Sequence, residues 1–397
     1  MNDLTTAPIT ADAVSWDDQA SSGSTAPGFL APADASYSWN VPSTFFSQSN
    51  LVSDNQPGHL NAQIQDANLI NPWGVAFGPT GPFWVNNNHT GTATIYSVDP
   101  MTDATTAGGL VVTIAPPSGT NITASPTGIV FNSDPSGFML NGKPATFIMD
   151  TEDGTISAWN GGTTTTLEVD NSNNPAAGDP IVMPGEGVGA VYKGLAIGTQ
   201  KNGTTDLYAA NFRHGTVDVF NSQWQQVNSL TDGNVPAGYA PFNVQVLGGH
   251  LFVTFAKQDP FKHDDVSGAG NGFVDEFSLG GKLIGRVASG GPLNSPWGLA
   301  IAPKDFGKFA GDLLVGNFGD GHISAFDLHN HDKFVGQLMG VDGKPITIGD
   351  LWTLTPGNGG TGGSKGEIYF TSGVQGESQG VFGAIARVPR TNEFMMT

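Results

Sequence analysis

The sequence predicts an all-β protein, a six-bladed β-propeller of four-stranded antiparallel blades, and three observations carry that expectation. The first is a repeat anchored on glycine. Val85–Ser97, Met149–Asn160, Ala209–Asn221, Gly270–Ser278 and Val315–Asp327 align on Gly91, Gly154, Gly215, Gly272 and Gly321. An aromatic follows each glycine five residues later (Tyr96, Trp159, Phe220, Phe277, Phe326). In four copies a short polar residue precedes it by four (Asn87, Asp150, Asn211, Asn317). A polar loop, a turn glycine and an alternating strand at a regular interval mark an array of small antiparallel sheets. The second observation is a strand opening that recurs six times. It reads Asn71-Pro-Trp-Gly-Val-Ala-Phe, Ser125-Pro-Thr-Gly-Ile-Val-Phe, Tyr192-Lys-Gly-Leu-Ala-Ile, Ala240-Pro-Phe-Asn-Val-Gln-Val, Ser295-Pro-Trp-Gly-Leu-Ala-Ile and Asp350-Leu-Trp-Thr-Leu. Proline loses no ladder hydrogen bond at the first residue of a strand, and the apolar run behind it suits a strand buried on both faces. The third is that no amphipathic helical pattern of ten or more residues interrupts the repeats, and no apolar run is long enough to cross a bilayer.

Taken in order, positions 72, 126, 193, 241, 296 and 351 open blades near residues 71–115, 125–170, 192–232, 240–289, 295–340 and 350–388. The propeller is expected over residues 43–397. Residues 1–42, rich in Ser, Ala, Thr, Asp and Pro, read as a flexible leader without the basic start and apolar core of a signal peptide. The last blade is short by one strand. After Asp350–Leu354, Lys365–Thr371 and Gly380–Val388 little chain remains, so Phe45–Ser53 is the expected donor of the outer strand that closes the ring. Closure removes exposed sheet edges. Gly357–Ser364, with five glycines and no lysine or helix behind it, reads as a flexible loop and not as a phosphate cradle.

Charge narrows the partners. The formal net charge is −20, with 15 Lys plus Arg against 35 Asp plus Glu. Such a surface repels phosphate backbones and anionic lipid, so neither nucleic acid nor membrane insertion is expected. Cysteine is absent, which excludes disulfides, thiolate metal sites and a cysteine nucleophile.

In a propeller the starts of the first strands and the turns between second and third strands share one end of the ring, where ligands enter the channel. His89, Glu152, Arg213 and His214 fall on those turns and are the candidates for acid–base, ligand or charge-stabilising roles. Lys193 and Arg213 are cations in a chain that has few. They are placed either against an anionic ligand group or against acids of neighbouring blades. Trp73, Trp297 and Trp352 share one register, either to stack on a sugar or aromatic ligand or to pack between blades. Asp150, Glu152 and Asp153 crowd one turn. Asp259, His263 and Asp264 crowd the insertion of blade four, and Asp320 sits on the blade-five turn. Carboxylates and imidazoles so gathered suit Ca²⁺ or Zn²⁺, although no EF-hand or HExxH spacing is present. Asn87, Asn211 and Asn317 read as turn-holding residues.

Asn71-Pro-Trp-Gly, Thr151-Glu-Asp-Gly-Thr-Ile-Ser, Tyr192-Lys-Gly-Leu-Ala, Ala210-Asn-Phe-Arg, Ser295-Pro-Trp-Gly-Leu-Ala, Leu314-Val-Gly-Asn-Phe-Gly-Asp-Gly and Leu351-Trp together resemble an uncharacterised bacterial family. Some of its members carry a C-terminal exosortase-sorting (PEP-CTERM-type) tail, and large DNA viruses encode copies. The resemblance spans Ser43 to Val388, and more distantly the blades resemble NHL-repeat propellers. It implies a propeller and an extracytoplasmic place, and no reaction. The final residues, Asn392–Thr397, show no sorting tail. Two functions follow as expectations. One is an extracytoplasmic binding or scaffold module that recognises a glycan or protein on the channel face. The other is a metal-dependent hydrolase or lyase at the channel mouth.

Overall fold

The computed structural model describes residues 44–54, 61–175 and 187–389; the expected leader lies outside them. Six antiparallel sheets, each built on four strands, succeed one another along the chain, and the sixth is widened by the short strands Ile64–Gln65 and Met339–Gly340, which pair in parallel with its outer strand. Blade one is Pro72–Ala76, Phe83–Asn87, Thr92–Val98 and Thr105–Thr113, and blade two is Pro126–Phe131, Phe147–Thr151, Thr155–Trp159 and Thr166–Asp170. Blade three is Tyr192–Thr199, Thr205–Asn211, Thr216–Asn221 and Gln226–Leu230, and blade four is Tyr239–Leu247, His250–Lys257, Phe273–Ser278 and Leu283–Ser289. Blade five is Pro296–Ile301, Leu313–Asn317, Ile323–Asp327 and Lys333–Gln337. Blade six takes Leu351–Pro356, Ile368–Ser372 and Val381–Arg387 from the end of the chain and Phe45–Ser53 from its beginning. That closing strand runs antiparallel to Val381–Arg387, from Phe46 opposite Arg387 to Ser53 opposite Val381. The only helical segments among the described residues are the single 3₁₀ turns Asn88–Thr90 and Gly307–Phe309. No described helix is long and apolar enough to cross a membrane.

Burial follows the radial order. Pro126–Phe131 and Tyr192–Thr199 are buried along most of their length, whereas the outer strand Gln226–Leu230 is exposed except at Leu230. Each wedge between neighbouring blades holds its own apolar cluster, including the wedge between blades six and one, built from Phe83, Val85 and Tyr96 against Tyr369 and Phe382. The closing strand serves two wedges: Phe46 faces blade five, while Leu51 and Val52 face blade one. Burying each of these side chains is worth about 2 kcal/mol.

A collar surrounds the axis. Gly74, Gly128, Gly194 and Gly298 stand where each inner strand meets the next blade, and a Cβ on any of them would overlap that neighbour. The two remaining blades carry Asn243 and Thr353 at this level. Their side chains bridge the gap instead, Asn243 Nδ2 to Trp297 O at 2.8 Å and Thr353 Oγ1 to Trp73 O at 2.7 Å. The inner strands are thus nearly in contact.

Three expectations need correction. The collar aligns Tyr192, not Lys193, with Pro72 and Pro126, so Lys193 shares the register of Trp73, Thr127, Phe242, Trp297 and Trp352. Gly91, Gly154, Gly215 and Gly321 adopt the left-handed turn (φ 62 to 82°), but in blade four that turn belongs to Gly270, and Gly272 instead packs on Pro296. Gly357–Ser364 is no free loop. Asn358 Nδ2 donates to Gly78 O and Gly81 O at 3.0 and 2.8 Å, and Val98 N donates to Thr361 O at 2.8 Å. Glycine at 360 permits this approach, since a Cβ there would meet the backbone of Thr80. The segment is a second clasp between blades six and one.

Candidate functional site

The site is built on an aromatic floor. Trp73, Trp297, Trp352, Phe212, Phe242 and Phe318 form one cluster at the axis. Trp73 and Trp352 stack with centroids 3.5 Å apart, Phe318 stacks on Trp352 at 4.2 Å, and Trp297 stands edge-on to both indoles. The three indoles enter the same way. Asn71, Ser295 and Asp350, at φ 48, 48 and 52°, make a left-handed turn two residues before each tryptophan. Asn and Asp tolerate that conformation better than most residues. Trp352 Nε1 donates to Asn71 Oδ1 at 3.0 Å, and Trp297 Nε1 to Lys193 O at 2.9 Å. The indoles are 1–4 % exposed, so their faces are taken up by packing on one another at the axis, Trp352 of blade six meeting Trp73 and Trp297 of its two neighbouring blades, and not by an open stacking surface.

Lys193 rises from this floor. Its side chain is 2 % exposed, and Nζ lies 5.3 and 5.9 Å from the ring centres of Trp73 and Phe212. It pairs with Glu152 of the blade-two turn and, at 3.1 Å, with Asp264 Oδ1 of the blade-four insertion. Burial alone would lower its pKa, but Glu152 and Asp264 outweigh it and hold the ammonium above the usual lysine range. The same lysine keeps Asp264 well below the usual carboxylate range. His263 Nδ1 lies 3.0 Å from Asp264 Oδ1. Burial would lower the imidazole pKa; the bond to Asp264 prevails and raises it. Among the described residues Glu152, His263 and Asp264 are the group that could hold a metal, with ligand atoms within 4.8 Å of one another.

Around this centre a polar network adds residues that sequence reasoning missed. Asn88 Nδ2 donates to Glu152 Oε2 at 2.8 Å. Asn71 Nδ2 donates to Glu377 Oε2 at 2.7 Å and lies 3.4 Å from His89 Nε2. Burial, then the charge of Glu152, pushes Glu377 up to about 7. Beside the network, a cavity of about 400 Å³ is lined by Ser125, Glu152, Asp153, Ser172, Arg213 and His263 together with apolar Ile122 and Val191. Asp153 accepts a bond from Ser125 N at 2.7 Å, and burial raises it to about 6.

Other predicted residues lie elsewhere or do structural work. Arg213 is 1 % exposed and donates to the carbonyls of Gly187 and Gly189 at 2.5 and 3.3 Å, clamping the connection into blade three. We predict that Arg213→Ala costs about 3 kcal/mol, because it strips a buried guanidinium from carbonyls left without that donor. Urea unfolding measures this, and a midpoint equal to that of the native protein contradicts it. His214 lines a separate cavity of about 280 Å³ with Asn171, Asn211 and Asp218. Asp150 is fully buried, accepting from Thr127 Oγ1 and Gly128 N at 2.8 and 2.7 Å. Asp259 accepts from the backbone of His263 at 2.8 Å, and Asp320 accepts from Asn317 Nδ2 and His322 N, each at 3.1 Å. Asp259 thus holds the turn that carries His263 and Asp264, while Asp320 holds a separate turn in blade five. Asn211 accepts from His214 N and Asn317 donates to Asp320 Oδ1, as turn-holding residues do, and Asn317 also reaches the carbonyl of Pro292, whereas Asn87 bonds the hydroxyls of Thr92 and Thr94.

No family model matches the sequence. An α-L-arabinofuranosidase mutant from Fusarium graminearum, in complex with an iminosugar inhibitor, superposes with a TM-score of 0.50 at 12% identity, covering 87% of this chain and 98% of that one. A virginiamycin B lyase from Staphylococcus aureus superposes at 0.48 and 11% identity, covering 87% and 100%. At these identities the first likeness is one of fold alone, and the second carries no argument. Uncharacterized protein L690 of Acanthamoeba polyphaga mimivirus is 33% identical over 205 residues, 50% of this chain and 52% of the relative. Uncharacterized protein R648 of the same virus is 30% identical over 349 residues, 85% of this chain and 79% of the relative. The present chain thus belongs to the family of that R648 protein.

Proposed function

We propose that this protein is a ligand-binding propeller that takes a small polyhydroxylated molecule, of the glycan class, into the cavity beside Glu152. The cavity itself carries the reading. About 400 Å³ suits a small-molecule site, and its wall combines carboxyl, imidazole and hydroxyl groups with an apolar patch at Pro117, Ile122 and Val191. A sugar presents the same mixture of hydroxyl edge and apolar face. A glycan array followed by calorimetry on the full chain tests it. His263→Ala, which alters the wall without touching the collar, is expected to weaken binding about tenfold, or about 1.4 kcal/mol. Absence of saturable glycan binding in both assays refutes it.

The alternative, a hydrolase or lyase using Ca²⁺ or Zn²⁺ at the same mouth, rests on Glu152, His263 and Asp264. It ranks second because the ammonium of Lys193 already bonds both carboxylates. A place outside the cytoplasm belongs to the same proposal. It is supported by the resemblance to the exosortase-associated family and by the small number of lysines and arginines, 15 in 397 residues. Cell fractionation that recovers the native protein only in the cytoplasm excludes it.

A further inference from the structure

We infer that the Glu152–His263–Asp264 cluster is a cation site whose cation the protein supplies itself, as the ammonium of Lys193, and that this lysine is what keeps divalent metal out. The inference is independent of the glycan reading. Three neighbouring elements converge on one point: the blade-two turn brings Glu152, the blade-four insertion brings His263 and Asp264, and the blade-three inner strand brings Lys193. The ligand atoms of the first three lie within 4.8 Å of one another, close enough to contract onto a single ion. The ammonium bonds one oxygen from each carboxylate, and beneath it the faces of Trp73 and Phe212 favour positive charge.

Register singles the residue out. The equivalent positions in the other blades hold Trp73, Thr127, Phe242, Trp297 and Trp352, none of them charged. A cation is therefore placed at one blade only, the one flanked by Glu152 and Asp264. Because Lys193 is 2 % exposed and its ammonium is held between Glu152 and Asp264, a dication approaching the same oxygens meets its charge at close range. An ammonium also differs from a metal in chemistry. It donates hydrogen bonds and neutralises charge, but it cannot coordinate and activate water as zinc does. A ligand in the adjoining cavity thus meets a fixed monovalent centre.

Replacing Lys193 by a neutral side chain should uncover the metal site. The two carboxylates and the imidazole of His263 form a mixed oxygen–nitrogen set suited to Zn²⁺, with room for one further ligand. Calorimetric titration of the full chain with ZnCl₂ tests this. The native protein is expected to show no His263-dependent zinc binding up to about 1 mM. Lys193→Met is expected to bind one zinc per chain at least about tenfold more tightly, and Lys193→Met/His263→Ala to lose that gain. Zinc should also raise the melting temperature of Lys193→Met and leave that of the native protein unchanged. Should Lys193→Met fail to fold, Lys193→Gln, closer in shape, takes its place. Native zinc binding that His263→Ala abolishes overturns the inference, as does a folded Lys193 variant without His263-dependent zinc binding.

Discussion

Gly128→Ala is expected to destabilise the protein by about 3 kcal/mol or more, an unusual cost for one added methyl group. The glycine is not needed for its backbone conformation, since it is not among the positive-φ residues. It is needed for space. A Cβ at 128 would overlap the backbone nitrogen of Leu195, come within 2.7 Å of the Leu195 Cβ and within 2.9 Å of Asp150 Oδ1. None of these can yield alone. Leu195 belongs to the next inner strand, and Asp150 is fixed by Thr127 Oγ1 and Gly128 N. The strand would have to move outward, and in a closed ring that movement passes to every wedge. Close-packed interiors transmit such strain and do not absorb it. Gly285→Ala is the control: it lies in an outer strand, and its added Cβ meets nothing within 4 Å. Urea midpoints should fall steeply for the first variant and stay within about 0.5 kcal/mol for the second. Equal midpoints would refute the collar as the origin of the tight axis.

The same collar explains what was legible in the sequence. Its glycines recur in four blades as Pro-Trp-Gly, Pro-Thr-Gly and Lys-Gly-Leu, and together with the recurring prolines and the apolar runs behind them they made blade number and inner strands readable. The closing strand was legible for a different reason: three strands at the C-terminal end left an edge that only Phe45–Ser53 could cover. The site was less legible because turns obey local rules while a site obeys proximity. Glu152 and Lys193 were visible as odd residues inside a fixed frame. His263 and Asp264 were visible only as part of an irregular insertion, and nothing in the spacing said that this insertion folds back onto blade two. Glu377 was missed because the blade-six turn carries no copy of the glycine repeat, and Asn71 because it was read as a strand start. Arg213 was visible as a rare cation beside the predicted mouth, and it does line the cavity, but only coordinates show its guanidinium bonding the carbonyls of Gly187 and Gly189. Gly357–Ser364 was misread: glycine richness can mean freedom or close approach, and composition does not distinguish them.

Stability is expected to fall as pH rises from about 5 to 8, by about 3 kcal/mol through Asp150 alone. Asp150 is the clearest case. Burial pushes it up to about 7 from an ordinary 3.8, in spite of bonds from Thr127 and Gly128, and its second oxygen has no partner among the described residues. An acid whose folded pKa is raised binds its proton more tightly when folded. Its contribution is therefore complete below the unfolded pKa and is lost as pH climbs through the folded one. Glu377 at about 7 and Asp312 at about 6, both raised first by burial, act in the same direction. Glu367 is also raised, by burial and then by Asp103. His263, raised above 6.5, likewise loses its contribution upward. Groups shifted down, such as Asp264 and Asp134, act only below about pH 4 and leave this window flat. Growing self-repulsion on a chain of net charge −20 adds to the trend. Melting temperatures across the range measure it, and Asp150→Asn isolates the main group. An amide accepts the same two bonds without a charge, so the slope should flatten, with the variant gaining on the native protein above pH 7. A native melting temperature that rises between pH 5 and 8 would show that the buried acids do not control the profile. An unchanged slope in Asp150→Asn would remove Asp150 from it.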